Sequence, residues 1–276
     1  MAEAVRKWAN LIERYRRDGF PDRNAEYLLY QTLVGAWPIE TERALAYMEK
    51  ASQETKVHTS WTNPNPVYDD ALRGFIEGIL NDREFKADLQ KFVEPLIEPG
   101  RVNSLAQTLI KLTAPGIPDL YQGTELWDLS LVDPDNRRPV DYDMRRRLLS
   151  QLDGMTPEEI WSRIDEGLPK LWVIRQTLKL RQCRSLLKPD SNYRPLSARG
   201  AKSIHVVAFA RGEHVITVVP RLVIKLAGNW ADTVIELPNG RWHNALTDEI
   251  CNHGDVRLID LFKRFPVALL FREGAS

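Results

Sequence analysis

Asp119, Tyr121, Gln122, Glu125, Trp127 and Asp128 fall within ten positions, and Asp133-Pro134-Asp135-Asn136-Arg137-Arg138-Pro139 follows at once. Flat aromatic rings stack on sugar rings, and forked carboxylates, amides and guanidinium groups match vicinal hydroxyls. Such a segment points to a carbohydrate site. The same residues also suit a plain loop whose Asp and Arg pair with each other and whose Trp fills a core. Glycosidases use paired carboxylates, but spacing along one loop does not establish two opposed groups. A second polar cluster runs from Lys56 to Asn65 and contains His58, Trp61 and Asn63. Trp61 beside Asn63 has the makings of a sugar platform, while Asn63 and Asn65 serve equally well as turn and cap residues.

Other chemistries find no support. The five His (58, 205, 214, 243 and 253) lack metal-ligand spacing, so no metal is expected. There is no G-x-S-x-G, phosphate-binding loop or dinucleotide fingerprint. Lys plus Arg number 38 and Asp plus Glu number 38, and a net charge of zero argues against nucleic acid. No apolar run approaches the roughly 18–20 residues of a membrane span. The charged start, MAEAVRKWANLIERYRRDG, is not a secretory leader. Cys183 and Cys251 are read as two reduced thiols in a cytoplasmic protein.

The elements that would position these clusters fall into two styles. Asn65-Pro66 caps a helix whose apolar face is Tyr68, Ala71, Leu72, Phe75, Ile76, Ile79 and Leu80. Phe85, Leu89, Phe92 and Val93 continue the pattern, and Pro95, Pro99 and Gly100 are expected to stop it. Asn24 and Thr41 are expected to cap two earlier helices, and Thr156-Pro157-Glu158-Glu159 reads as a capping box. Further helices are expected over 103–113 and about 170–182. From about residue 200 the pattern becomes β. Strands are expected at 204–209, 215–219, 233–237 and 267–271, with a hairpin turn at Asn239-Gly240. Ile117–Tyr121 reads as one short strand among helices, with no neighbour in this chain to satisfy its backbone.

Four segments together resemble the maltooligosyl trehalose synthase family of the α-amylase superfamily, glycoside hydrolase family 13. They are PDRNAEYLLYQTLVGAWP (21–38), KVHTSWTNPN (56–65), NSLAQTLIKLTAPGIPDLYQGTELWDLSLVDPDNRRPVDY (103–142) and RFPVALLF (264–271). The resemblance covers almost the whole chain. It implies that Gly116, Pro118, Tyr121, Gly123 and Glu125 mark the end of the eighth strand of a (β/α)8 barrel whose other strands lie outside this sequence. Residues 1–140 would then be the C-terminal part of the catalytic barrel with a helical insertion. Residues 141–195 would be a helical connection, with a boundary near Lys188–Asn192, and 196–276 a C-terminal antiparallel β domain. The fold class is thus α+β: a helical segment with one short strand, then a small antiparallel β-sandwich.

The resemblance also implies an isomerase of trehalose biosynthesis. Such an enzyme converts the reducing-end α-1,4 linkage of a maltooligosaccharide into an α,α-1,1 linkage by intramolecular transglycosylation, without a cofactor. No Asp or Glu here matches a family catalytic carboxylate, so no catalytic residue is assigned and the chain alone is expected to be inactive. Tyr121, Gln122 and Glu125 would sit on the substrate rim, where such barrels bind, with Asp135, Asn136, Arg137 and Arg138 in the loop just after. One of the two arginines is expected to orient a site carboxylate. Trp61 and Asn63 are further candidates. The expected partners are a maltooligosaccharide and a complementing N-terminal barrel part. A noncatalytic glycan-binding or partner-binding module, or a structural remnant, are the competing readings.

Overall fold

Local side chains start several helices as their types require. In the computed structural model, which describes residues 1–182 and 191–274, α1 spans Ala2–Ile12 and α2 spans Arg23–Ala36. The cap of α2 is Asp22, whose carboxylate accepts from the Asn24 and Ala25 amides, rather than Asn24 itself. Helix α3, Thr41–Thr55, takes Glu40 as its cap residue without a side-chain bond, so Thr41 begins the helix instead of capping it. Asn65 does cap α4, Pro66–Asn81, by accepting from the Tyr68 amide.

Helix α5 runs from Arg83 to Thr113, straight through Pro95, Pro99 and Gly100. The expected stop is overruled. Proline inside a helix costs about 3 kcal/mol, but buried Leu89 and Val93 on one side and Val102, Leu105 and Leu109 on the other anchor both flanks. The proline-rich stretch is also where the chain passes between two compact units, Met1–Ile97 with Leu129–Pro139 and Glu98–Asp128 with the chain from Val140 onward.

The first unit packs α1 to α4 and the start of α5 around Trp8, Leu29, Leu33, Phe75, Ile79 and Phe85. Trp8 meets Phe85 and Phe92 edge-on and donates its indole N–H to Asp88 at 2.7 Å. Gly78 admits the Tyr15 ring so closely that any Cβ would clash with it. Asp82 closes the turn between α4 and α5. One of its oxygens accepts from the Glu84 and Phe85 amides at 2.9 and 3.0 Å, and the other takes Tyr15 Oη at 2.9 Å and Arg14.

In the second unit α6 (Tyr142–Gln151), α7 (Pro157–Ser162) and α8 (Leu168–Gln182) follow. Thr156 and Glu159 form both halves of the expected capping box. The strands are β1 (Tyr193–Leu196), β2 (Ala198–Arg199), β3 (Val206–Arg211) and β4 (Val215–Pro220). Helix α9 (Val223–Leu226) precedes β5 (Val234–Asn244) and β6 (Ile250–Arg257), and α10 (Leu258–Leu261) precedes β7 (Ala268–Arg272). All pairings are antiparallel. The strands make one curled antiparallel sheet in the order β1-β3-β4-β7-β5-β2, with β6 added to β5.

Strand β4 is buried along its whole length. Val215 and Val219 join the helical core of Leu105, Leu109, Leu152 and Leu171, while Ile216 and Val218 face a second core with Leu226, Trp242 and Leu258. The expected hairpin at Asn239-Gly240 is instead an irregularity inside β5, where its register with β6 shifts between Leu237 and Arg241. Gly240 adopts φ +135°, a conformation that L side chains rarely take, with the Arg272 side chain against it, and Trp242 Nε1 bridges the kink to the Pro238 carbonyl at 2.9 Å. The Ile117–Tyr121 run forms no ladder with any described residue, and Ile117 is 91% exposed. Cys251 is a free, half-buried thiol, whereas Cys183 and Lys188-Pro189-Asp190 lie outside the described residues. Among the described residues no helix is long and apolar enough to cross a membrane.

The Asp82 cluster predicts an acid response. Burial pushes its carboxyl up, but the Phe85 amide, Arg14 and Tyr15 outweigh this and hold it at about 2. The folded value lies below the unfolded value of about 3.9, so its contribution is present above pH 4 and is lost as pH falls towards 2. Asp82→Asn is expected to cost about 1–3 kcal/mol at pH 7 and to flatten the pH 4–2 part of the stability curve. Urea melts across pH would show this; an unchanged acid limb contradicts it.

Candidate functional site

After α5 the chain has neither helix nor ladder to satisfy its backbone, and cationic side chains take that role. Arg181 Nη1 donates to the Leu112 carbonyl at 2.8 Å, and Arg211 Nη1 donates to that of Thr113 at 2.7 Å. Both sit on the last carbonyls of α5, where positive charge also complements the helix dipole. Thr217 Oγ1 donates to Thr113 Oγ1 at 2.8 Å, which ties the same helix end to β4. Buried Lys170 on α8 donates to the Leu126 carbonyl at 3.0 Å. Trp127 donates its indole N–H to the Ile164 carbonyl, with the Arg101 guanidinium over its ring.

Within this frame Tyr121, Gln122 and Glu125 share one turn. The Thr124 amide and hydroxyl both reach the Tyr121 carbonyl, and Gly123 takes φ +92°, a conformation that favours glycine. Glu125 Oε2 accepts from Arg145 Nε at 2.9 Å, and Arg145 Nη2 holds the Gly123 carbonyl at 2.7 Å. One α6 arginine thus fixes both the site carboxylate and the turn that carries it. Tyr121 is 43% exposed and Gln122 is exposed beside it. The turn presents a phenol, an amide and an ion-paired carboxylate, a set suited to binding hydroxyl groups.

The other candidates belong to the first unit. Asp135 is gripped by α3, with Arg43 Nε and Nη2 each 2.9 Å from its two oxygens, and the Leu131 amide adds a bond at 2.6 Å. The Arg43 contact outweighs burial and holds the Asp135 carboxyl below its usual range. Lys50 donates to the Asp133 carbonyl at 2.6 Å. Asn136 lies in the short 3-10 turn Asp135–Arg137, and its Oδ1 is buried without a hydrogen-bond partner. Arg137 pairs with Asp133, and Arg138 with Asp135 and Ser130. Both arginines therefore serve the loop that carries them.

Trp61 stands 62% exposed at the tip of a turn closed by Ser60 and Asn63, whose backbone groups bond each other at 3.2 and 3.3 Å. His58 anchors this turn, with Nε2 2.9 Å from Asp22 and its ring stacked on Tyr68. Among the described residues no hydrogen bond joins Trp61 or Asn63 to the Asp135–Arg138 group. The sequence did not reveal Arg43, Lys50, Arg145 or Lys170. No local spacing signals a partner that lies 20 to 92 positions away. No group of His, Cys, Asp or Glu among the described residues could hold a metal ion.

No family model matches the chain. A putative maltooligosyl trehalose synthase of Mycobacterium tuberculosis is 38% identical over 263 residues, which is 92% of this chain and 32% of that protein. The solved maltooligosyltrehalose synthase of Arthrobacter ramosus superposes with a TM-score of 0.85 at 36% identity, covering 98% of this chain and 35% of that one. The chain matches the C-terminal part of maltooligosyl trehalose synthase. A structure of a hypothetical maltooligosyl trehalose synthase from Sulfolobus tokodaii agrees, with a TM-score of 0.77 at 30% identity over 98% of this chain and 34% of that one. The chain thus spans about a third of the length of the synthases it matches.

Lys170 gives the loop a pH signature. Burial, then nearby Lys111, push its ammonium down to about 8, against the opposing pull of Asp128 and Glu125. The unfolded lysine titrates near 10.4, so between pH 8 and 10.4 the unfolded chain holds more protons and stability rises with pH. The gain is on the order of 3 kcal/mol at most. Lys170→Met is expected to abolish that alkaline rise in thermal melts; persistence of the rise in the variant would assign it to another group.

Proposed function

We propose that this chain supplies the C-terminal part of a maltooligosyl trehalose synthase, an enzyme of glycoside hydrolase family 13 that acts in trehalose biosynthesis. The complete enzyme isomerises the reducing-end α-1,4 linkage of a maltooligosaccharide into an α,α-1,1 linkage by intramolecular transglycosylation. The observation that carries this is the match along 92–98% of the chain to synthases of three organisms. The Arg145-clamped turn of Tyr121, Gln122 and Glu125 supports it, because it offers binding groups for sugar hydroxyls on the segment that most resembles the family.

In this reading the catalytic carboxylates belong to the two-thirds of the synthases that this chain does not span. Residues 1–140 complete the catalytic barrel with a helical insertion, 141–195 connect, and 196–276 form the C-terminal β domain. The partners are a maltooligosaccharide and an N-terminal barrel part, in the cytoplasm, with no cofactor and no nucleic acid. Tyr121, Gln122 and Glu125 contact substrate. Asp135, Asn136, Arg137 and Arg138 contribute at the rim chiefly by holding their loop, and Trp61 with Asn63 provides an outlying platform. The exposed Trp61 ring also favours a second reading, a glycan-binding module without catalysis.

Fusion of the chain to the N-terminal two-thirds of the Mycobacterium relative tests this. The chain alone is expected to form no nonreducing product from maltohexaose, and the fusion to form one. In that fusion Arg145→Gln is expected to lower kcat/KM about tenfold to a hundredfold, since a charged hydrogen bond worth roughly 1.5–3 kcal/mol is lost. A folded fusion that binds maltohexaose without turnover would favour the module reading.

A further inference from the structure

The second unit contains an open cavity of about 600 Å³ whose wall includes Trp161, Trp230 and Phe262 together with Glu98, Asp260 and Lys263. None of its lining residues belongs to the loop that carries Tyr121 and Glu125. Its size falls in the range of small-ligand sites. Trp230 follows α9 and Phe262 follows α10, and their rings lie 5.1 Å apart, tilted by 38°.

The eight tryptophans separate into groups by what their indole N–H does. Trp8, Trp37, Trp127, Trp172 and Trp242 each donate to a protein acceptor. Trp61 is largely in solvent. The remaining two, Trp161 and Trp230, line this cavity, and neither donates to a described residue. Trp230 is 95% buried, since only 5% of it is exposed, and a buried indole N–H ordinarily finds an acceptor. Trp230 lines the cavity wall.

We propose that this cavity is a second carbohydrate site that takes a short α-1,4-glucan segment. The half-buried Trp161 and Phe262 rings cover the apolar C–H faces of pyranose rings, with Trp230 packed behind Phe262. The two indole donors, the Glu98 and Asp260 carboxylates and the Lys263 ammonium meet the hydroxyls at their edges. Sugar as the ligand class comes from this lining. The choice of α-1,4-glucan among sugars rests on the function proposed above.

Indole N–H signals of the 15N-labelled chain, titrated with maltoheptaose and separately with cellohexaose, test the proposal. Trp161→Phe and Trp230→Phe assign the two signals. Asp260→Ala with Lys263→Ala removes exposed hydroxyl partners without touching the core. The Trp161 and Trp230 signals are expected to move along one saturation curve with maltoheptaose, and the double variant to raise its Kd about tenfold. Equal movement with cellohexaose upholds the cavity as a sugar site and overturns the α-1,4 choice. Movement of the Trp61 signal alone, no movement at the solubility limit of either sugar, or an unchanged Kd in the double variant overturns the proposal. Those results leave the synthase reading standing on its own fusion assay.

Discussion

The second unit depends on cationic side chains that hold main-chain carbonyls where no secondary structure does. From Ala114 to Leu126, just past the end of α5, the chain runs outside helix and ladder among the described residues. Arg181 and Arg211 take the last two carbonyls of α5, and Arg145 and Lys170 take those of Gly123 and Leu126. A buried carbonyl without a partner costs about 1–3 kcal/mol, so each donor offsets a loss that the loop would otherwise carry. The donors come from α6, α8 and β3, so the loop conformation depends on elements well separated from it in sequence.

This division of labour separates the candidate site residues from the residues that hold them. Tyr121 and Gln122 are exposed, and Glu125 lies half-buried against Arg145. Arg145 and Lys170 spend theirs on the backbone and on one carboxylate. In the first unit Arg43 does the equivalent for Asp135, by a bidentate fork that a lysine does not reproduce. The turn that carries Glu125 and the loop that carries Asp135 are therefore each ordered by an arginine from a helix.

What was legible in the sequence follows the range of each interaction. Asn65 and Thr156 could be read as caps because their bonds reach only three residues. Pro95 and Pro99 misled, because their local cost is real but is outweighed by burial of Leu89, Val93, Leu105 and Leu109. Asn239-Gly240 misled for a related reason. Its glycine serves the φ of +135° at the irregularity inside β5, which depends on how β5 pairs with β6. At the site, residue types alone picked out Glu125 and Asp135. Their partners Arg145 and Arg43 depend on folding and could be found only with the helices in place.

Hydrogen exchange of the 116–128 amides in the chain and in its Arg145→Gln and Lys170→Met variants reads whether these cations hold the loop. Measurable protection of Gly123–Trp127 is expected in the parent chain, with its loss in Arg145→Gln, while β4 keeps its protection in all three. Full exchange of that segment in the parent chain, or protection untouched by either substitution, would contradict the claim that these cations hold the loop.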